Sequence, residues 1–382
     1  MPMKKIMVIL GTRPEAIKLA PVIAALRDLS TFQTIVLSTA QHRQMLDQVL
    51  DLFSIVPDHD LNIMTSNQTI ADVTIACIQG VGRILSDEKP DLVLVQGDTT
   101  TVFASALASF YQRIPVGHVE AGLRTSDLFS PYPEEANRRL ASVLTDLHFA
   151  PTTWAADNLK REGIAAGRIH VTGNTVIDAL LTVADRPFDL SVNHSKLAGF
   201  LEDIGRLVLV TAHRRESFGA PFRQMCEAMR DITRTYRDVG IVYPVHPNPN
   251  VRETVQAILG NEPRVLLVEP LDYVTFVHLM KRACLLLTDS GGVQEEAPSL
   301  RKPVLIMREK TERQEGVEAG VNRLVGTSRN GIFGAVSQLL DNDDDYKKMA
   351  CGCNPFGDGK AAERIVAIIR DYFACPANKS TL

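Results

Sequence analysis

Short runs of apolar, β-prone residues alternate with helix-patterned segments along almost the whole chain, and no other feature constrains the fold as strongly. In the first half the strand candidates are KKIMVIL, TIVLST, DLVLVQ, IPVGHV, LHFA and RIHVT, with segments such as PEAIKLAPVIAALRDL and TTTVFASALASFYQR between them. These runs are nearly continuously apolar, which predicts strands buried on both faces and hence a parallel sheet covered by helices on each side. The stretch RPFDLSVNHSKLAGFLEDIG, roughly 186–205, interrupts the rhythm and reads as a linker. The pattern restarts with RLVLVTAH, GIVYPVH, RVLLVEP, CLLLTDS and KPVLIM. A chain of 382 residues exceeds the size at which one core keeps growing. We therefore expect an α/β protein of two doubly wound Rossmann-like domains, over 1–185 and 206–358. A C-terminal helix and tail over 359–382 could pack back on the N-terminal domain. In GKAAERIVAIIRDYF, residues Ala361, Ile365, Ile368 and Tyr372 fall on one predicted face.

Composition narrows the partners. Apolar residues are 45% and charged residues 23% of the chain, ordinary values for a globular protein. A net charge of −4 argues against a nucleic-acid binder, which normally carries a basic excess. An anionic ligand must then be held by a local cluster of cations. The six cysteines have no disulfide-framework spacing, and Cys351 and Cys353 form a C-x-C without a second half, so no metal site is expected. The start, MPMKKIMVILGTRPE, has an apolar run too short for a signal peptide and reads as a first strand. No run reaches transmembrane length. The expected location is the cytoplasm, with no membrane partner.

In doubly wound sheets, ligands bind beyond the carboxyl ends of the strands, and here those positions are rich in polar chemistry. GTRPEAIK follows the first strand. It lacks the G-x-G-x-x-G dinucleotide fingerprint, and it brings Arg13 and Lys18 near a helix N-terminus. It is either a capped helix with surface charges or a phosphate site. GDTTT places Asp98 after a strand, as a helix cap or as a functional carboxylate. GHVEAGLRT puts Glu120 at the next strand end, and SPYPEEANRR puts Glu134 and Glu135 at a helix start. Acidic residues in a first turn often only complement the helix dipole. Three carboxylates (Asp98, Glu120, Glu134) at one sheet edge could instead raise one another's proton affinity and act as acids and bases.

In the second half, VTAHRRES places His213 beside two arginines, and YPVHPNPN places His246 after the next strand. The position of His213 suits contact with an anion, although a lone histidine is more often structural. TDSGGVQEEA offers Ser290, Gly291 and Gly292 as a backbone cradle for a diphosphate. Glu296, one turn on, suits the hydroxyls of a ribose. Glu295 points about 100° away on a helix and reads as structural. GCNPFGDGK has the glycine spacing of a P-loop start, but Asp358 stands where the lysine belongs.

As a set, GTRPEAIK, TAQHRQMLDQVL, GDTTT, GHVEAGLRT, PEEANR, HRRES, VHPNPNVRE and TDSGGVQEEAPSLRKPVL resemble the non-hydrolysing UDP-N-acetylglucosamine 2-epimerases. The resemblance implies the two-domain GT-B fold of the UDP-glycosyltransferase and glycogen phosphorylase type, with the active site in the interdomain cleft. It implies a homodimer that interconverts UDP-GlcNAc and UDP-ManNAc with no cofactor and no metal. Carried over by position, Arg13, Lys18, Asp98, Glu120, Glu134 and His213 would form the catalytic group. Arg13, Lys18, Phe276, Ser290, Gly291, Gly292, Glu296 and Arg313 would hold the UDP-sugar. Some bacterial members bind UDP-GlcNAc as an allosteric activator, and the matching positions are Gln41, His42, Gln44, Arg214, Glu216 and His246. Leu271 and Gln314 depart from the family pattern, and the latter could loosen the loop bearing Arg313.

The implied chemistry is elimination of UDP to a 2-acetamidoglucal followed by re-addition. It needs cations for the departing diphosphate and acid–base groups on both faces of the sugar. A UDP-sugar glycosyltransferase of the same fold and a hydrolysing epimerase remain the alternatives.

Overall fold

The computed structural model describes residues 3–40, 43–65, 67–125 and 127–374. The chain divides into two compact units, Met1–Ala179 with Phe356–Leu382, and Leu180–Pro355. Unit 1 contains seven strands, β1 (Lys4–Leu10), β2 (Phe32–Ser38), β3 (His59–Asp60), β4 (Leu92–Gln96), β5 (Val116–Val119), β6 (Leu147–Ala150) and β7 (Ile169–Val171). They form one sheet in the order β3-β2-β1-β4-β5-β6-β7, parallel throughout. Unit 2 contains β8 (Arg206–Thr211), β9 (Val239–Pro244), β10 (Val265–Val268), β11 (Leu285–Thr288), β12 (Val304–Ile306) and β13 (Asn322–Leu324). Its parallel order is β10-β9-β8-β11-β12-β13. Both units are Rossmann-like. In each, the strand order reverses once, between β1 and β4 and between β8 and β11. Loops leave in opposite directions there, which opens a crevice at the carboxyl ends of the strands.

The near-continuous apolar runs become fully covered strands, as two-sided burial requires. In unit 1, Met7, Ile9, Val93 and Val95 join a core with Val73, Cys77 and Val81 of the helix Ile70–Glu88 and with Val102 of the helix Thr100–Tyr111. In unit 2, Val208, Val210, Ile241 and Tyr243 pack with Phe222, Met225, Met229 and Ile232 of the helix Ala220–Thr235. Each such side chain, fully buried, contributes about 1.5–3 kcal/mol before entropy is subtracted.

The helix Ala361–Ala374 belongs to unit 1 and packs on the helix Arg13–Arg27. Its start is tied down by Asp178, whose carboxylate accepts from the backbone N–H of Ala361 (3.2 Å) and Ala362 (2.8 Å). Of the expected face, Ala361 and Ile365 are buried, together with Ala362, Val366 and Ile369, whereas Ile368 and Tyr372 are partly exposed. The inward stripe is thus shifted from the one centred on Ile368. The i, i+3, i+4, i+7 spacing from Ala362 collects a continuous aliphatic row, and it leaves the tyrosine at the rim.

The segment that reads as a linker carries two short helices, Leu190–Asn193 and Ser195–Glu202, inside unit 2. Leu197 and Leu201 are buried, and Arg282 donates to the Leu201 carbonyl (2.7 Å). No helix among the described residues is long and apolar enough to cross a membrane.

Candidate active site

In unit 1 the loops after β1, β4 and β5 emerge at one edge of the sheet and are knitted together by side chains. Gly11 opens the first loop because nothing larger fits. A Cβ there would stand 2.3 Å from Thr39 Oγ1 and 2.7 Å from Thr101 Oγ1, two hydroxyls that bond each other at 3.0 Å. Glu15, one turn into the helix Arg13–Arg27, is 2% exposed. Its carboxylate accepts from the backbone N–H of Gly11 (2.6 Å) and Thr12 (2.7 Å) and from the Thr99 hydroxyl of the loop after β4. Burial pushes the Glu15 carboxyl above its usual range, and those three donors pull the other way. This residue escapes sequence reading, because a glutamate in a first helical turn looks like an exposed dipole partner.

Asp98 does not cap the next helix. Thr99 does, accepting from the Val102 N–H (3.4 Å). The Asp98 carboxylate instead accepts from Arg138 (2.6 Å), and its carbonyl accepts from the Asn137 amide (3.0 Å). Both partners sit on the helix Glu134–Leu144, so that helix is fixed to the loop after β4. Its first residue, Glu134, is half-buried, and its carboxylate has no hydrogen-bond or ion-pair partner among the described residues. Glu135 is different. It is fully buried and accepts from Arg139 (2.7 Å) and the Thr125 N–H (3.0 Å), a structural arrangement. The half-buried guanidinium of Arg13 likewise has no partner among the described residues.

Glu120 directly follows β5 in a left-handed backbone conformation, φ 65°. For a residue with a Cβ this costs about 1–2 kcal/mol, and such strain concentrates where a side chain must be aimed. The carboxylate, 8% exposed at the residue level, is held by Lys18, by the Gln96 amide and by the Asn174 amide (3.0 Å). Lys18 therefore reaches Glu120 from the helix after β1, across the β1–β4 switch point. Asp98 and Glu120 each have a cation of their own, whereas Glu134 has none among the described residues. Behind them, His118 bonds the Gly97 carbonyl (2.7 Å), and burial lowers its pKa to about 4.

In unit 2 the reversal point lies between the loops after β8 and β11. Asp289, wholly buried after β11, accepts from the backbone N–H groups of His213 (2.7 Å) and Arg214 (2.8 Å) after β8. The His213 ring stacks on that of His246, with centroids 5.2 Å apart. Burial lowers the His213 pKa, Asp289 raises it, and His246 and Arg214 lower it further. Ser290 is the N-cap of the helix Gly291–Glu296, and its own hydroxyl makes no capping bond. A Cβ on Gly291 would stand 2.6 Å from the Arg313 guanidinium carbon, so Arg313 lies directly over the glycine turn. Arg313 is oriented by Glu295, buried and 2.8 Å away, which accounts for the second carboxylate of TDSGGVQEEA. Glu296 accepts from the Tyr273 hydroxyl (2.7 Å). Phe276 is on the same helix as Tyr273 and is partly exposed. The Gln314 amide donates to the Thr311 carbonyl (2.8 Å), so this departure from the family pattern closes the Arg313 loop.

Of the six positions matched to an activator site, Gln41 and His42 lie outside the described residues, as does the side chain of Gln44. Arg214 is held through its backbone, Glu216 accepts from Arg308 (2.6 Å), and His246 is exposed on one side of its stack with His213. Cys351 and Cys353 are exposed free thiols.

Comparison with known proteins gives consistent findings. The profile of the family described as UDP-N-acetylglucosamine 2-epimerase matches residues 24–370. The UDP-N-acetylglucosamine 2-epimerase of Escherichia coli K12 is 54% identical over 370 residues, covering 96% of this chain and 98% of that one. The Neisseria meningitidis UDP-GlcNAc 2-epimerase solved with UDP-GlcNAc is 46% identical with a TM-score of 0.86, over 96% of this chain and 100% of that one. The S. aureus MnaA structure with UDP is 49% identical with a TM-score of 0.87, over 97% of both chains.

Proposed function

Since the chain belongs to the UDP-N-acetylglucosamine 2-epimerase family, we propose that it interconverts UDP-GlcNAc and UDP-ManNAc by inverting C2, without net hydrolysis. The observation that carries this reading is Glu120, a carboxylate aimed by a strained backbone after β5 and held by Lys18 from the helix after β1. C2 of the sugar is not adjacent to a carbonyl, so its proton is a poor acid until the C1–O bond to UDP weakens. In the proposed forward step a carboxylate takes the C2 proton, and the C2–H electrons form the C1=C2 bond. UDP leaves with the C1–O electrons, giving 2-acetamidoglucal. In the return step a UDP oxygen bonds C1, and a protonated acid delivers hydrogen to the opposite face of C2. Asp98, Glu120 and Glu134 are the acid–base candidates.

Unit 2 supplies the grip on UDP in this reading. The backbone N–H groups of Gly291 and Gly292, the Ser290 hydroxyl and the Arg313 guanidinium above the turn suit a diphosphate. Glu296, oriented by Tyr273, suits the ribose, and Phe276 the base. Arg13, Lys18 and His213 supply positive charge to the departing group. The regulatory reading for Arg214, Glu216 and His246 draws support from the ring stack, because a ligand on His246 would also touch the support of His213.

We also assign a homodimer. The adjacent helices Thr100–Tyr111 and Glu134–Leu144 expose Phe110 (58%), Leu140 (49%) and Val143 (74%), an apolar surface suited to a second copy. The reduced, buried thiols of Cys77 and Cys226 are consistent with work in the cytoplasm.

Incubation with UDP-GlcNAc in D2O, followed by NMR, tests the reaction. UDP-ManNAc carrying deuterium at C2 is the expected product. Release of UDP in step with sugar turnover would point to hydrolysis or transfer instead.

A further inference from the structure

Asp289 does more than close a loop. Its Oδ2 is satisfied by two backbone N–H groups, from His213 and Arg214. Its Oδ1 is buried and has no hydrogen-bond partner among the described residues. A buried acceptor left in that state costs about 1–3 kcal/mol, so such atoms persist where something uses them. His213 Nδ1 lies 3.7 Å from Oδ1. His246 supports the same imidazole from the loop after β9, stacked at an interplanar angle of 15°. The His213 side chain keeps 39% of its surface exposed, so one edge of the ring remains open to a ligand.

We propose that Asp289 is a positioning residue that accepts a hydrogen bond from His213 Nδ1–H, leaving Nε2 as the nitrogen presented to the ligand. The inference rests on the reading of His213 as a group that meets the departing diphosphate. Closing the gap to bonding distance requires a ring movement of less than about 1 Å. With Nδ1–H committed to Asp289, neutral His213 offers an Nε2 lone pair. When the ring is protonated, Nε2–H becomes a charge-assisted donor to a phosphate oxygen, with the positive charge balanced from behind. The groups facing the imidazole are Asp289, His246 and Arg214. Asp289 favours the protonated ring, while the other two and burial oppose it.

The test uses the full-length enzyme with 15N-labelled histidine, and His213→Gln assigns the His213 signals. In the wild-type protein, neutral His213 is expected to show a protonated Nδ1. The Nε2–H tautomer would overturn the proposal, whether or not any variant folds. In Asp289→Asn the remaining oxygen can still accept the two backbone N–H groups, so the loops should stay tied while the imidazole loses the charge that favours its protonated form. The expected result is a fall of at least about one pH unit. An unchanged pKa would sink the pairing. With that fall, kcat should drop at least about tenfold while UDP affinity stays within about threefold. Activity of His213→Gln is a separate readout. If that variant turned over normally, the catalytic reading of His213 would fail, while the pairing seen in the spectra would stand.

Discussion

Acid should destabilise unit 1 through two buried histidines, and the size of the effect follows from their positions. His118 on β5 and His148 on β6 are direct neighbours in the sheet, 1% and 0% exposed. Burial lowers their pKa values from 6.5 to about 4 and about 3. Above pH 6.5 both imidazoles are neutral whether the chain is folded or unfolded. As pH falls below 6.5 the unfolded chain takes up protons that the native interior refuses, so stability is lost with falling pH. Each pH unit costs about 1.4 kcal/mol per histidine. At pH 5 that is about 2 kcal/mol each. Glu15 and Asp178, whose pKa values burial raises, act in the opposite direction, so a variant is needed to isolate the histidines. His148→Leu is the suitable one, because neither ring nitrogen of His148 makes a well-formed hydrogen bond among the described residues. The leucine should be neutral or stabilising at pH 7. The single tryptophan, Trp154, follows β6 and reports on this unit by fluorescence. With an m value of about 2 kcal/mol/M, the wild-type urea midpoint should drop by up to about 2 M between pH 7 and pH 5. The drop should be about 1 M smaller in His148→Leu. Parallel losses in the two proteins would refute the argument.

Further outcomes follow from the site. Glu120→Gln should abolish deuterium exchange at C2 and leave UDP affinity within about threefold, and because it removes the shielded ion pair with Lys18 it should also lower the stability of unit 1. Full activity in that variant would remove Glu120 from the chemistry. Gly11→Ala should shift the loop after β1, since its methyl would overlap two threonine hydroxyls, and a crystal structure with an unmoved loop would contradict this. Tyr273→Phe should weaken UDP binding measured by calorimetry about tenfold, because it removes the hydroxyl that orients Glu296; unchanged affinity would mean that Glu296 does not meet the nucleotide. Leu140→Asp together with Val143→Asp should yield monomers in size-exclusion light scattering, and a persistent dimer would place the interface elsewhere.

Much of this architecture was legible in the chain because two-sided burial demands long apolar runs. KKIMVIL coincides with β1, and DLVLVQ differs from β4 by one residue. The short strands β3 (HD) and β13 (NRL) were not legible, since polar residues leave them without the apolar run that marked the equally short β7 and β12. Strand-end polar residues were visible as candidates, but their partners were not. Asp98 reads equally as a cap or an acid until Arg138, forty residues on, is seen to hold it. Glu295 and Glu296 were separable by helix geometry alone, and their partners Arg313 and Tyr273 account for the difference. Glu15 and Asp289 were the least legible, because burial turns an ordinary first-turn acid and an ordinary loop acid into fixed acceptors.

These two acids have a common place in their units. Each lies at the point where strand order reverses, and each ties the two loops that diverge there. Glu15, after β1, holds the Thr99 hydroxyl after β4. Asp289, after β11, holds two backbone N–H groups after β8. A crevice between diverging loops is open to ligands for the same reason that it is weak, because no strand hydrogen bonds cross it. A carboxylate is well suited to bridge it, since it accepts several N–H or O–H donors at once and presents none of its own. Burial makes those bonds strong and makes loss of the acid costly. The local price is a buried carboxylate, held by backbone N–H groups and, for Glu15, also by the Thr99 hydroxyl. That leaves Arg13 in unit 1 and Arg214 in unit 2, both without side-chain partners among the described residues, free to meet an anion from outside the protein.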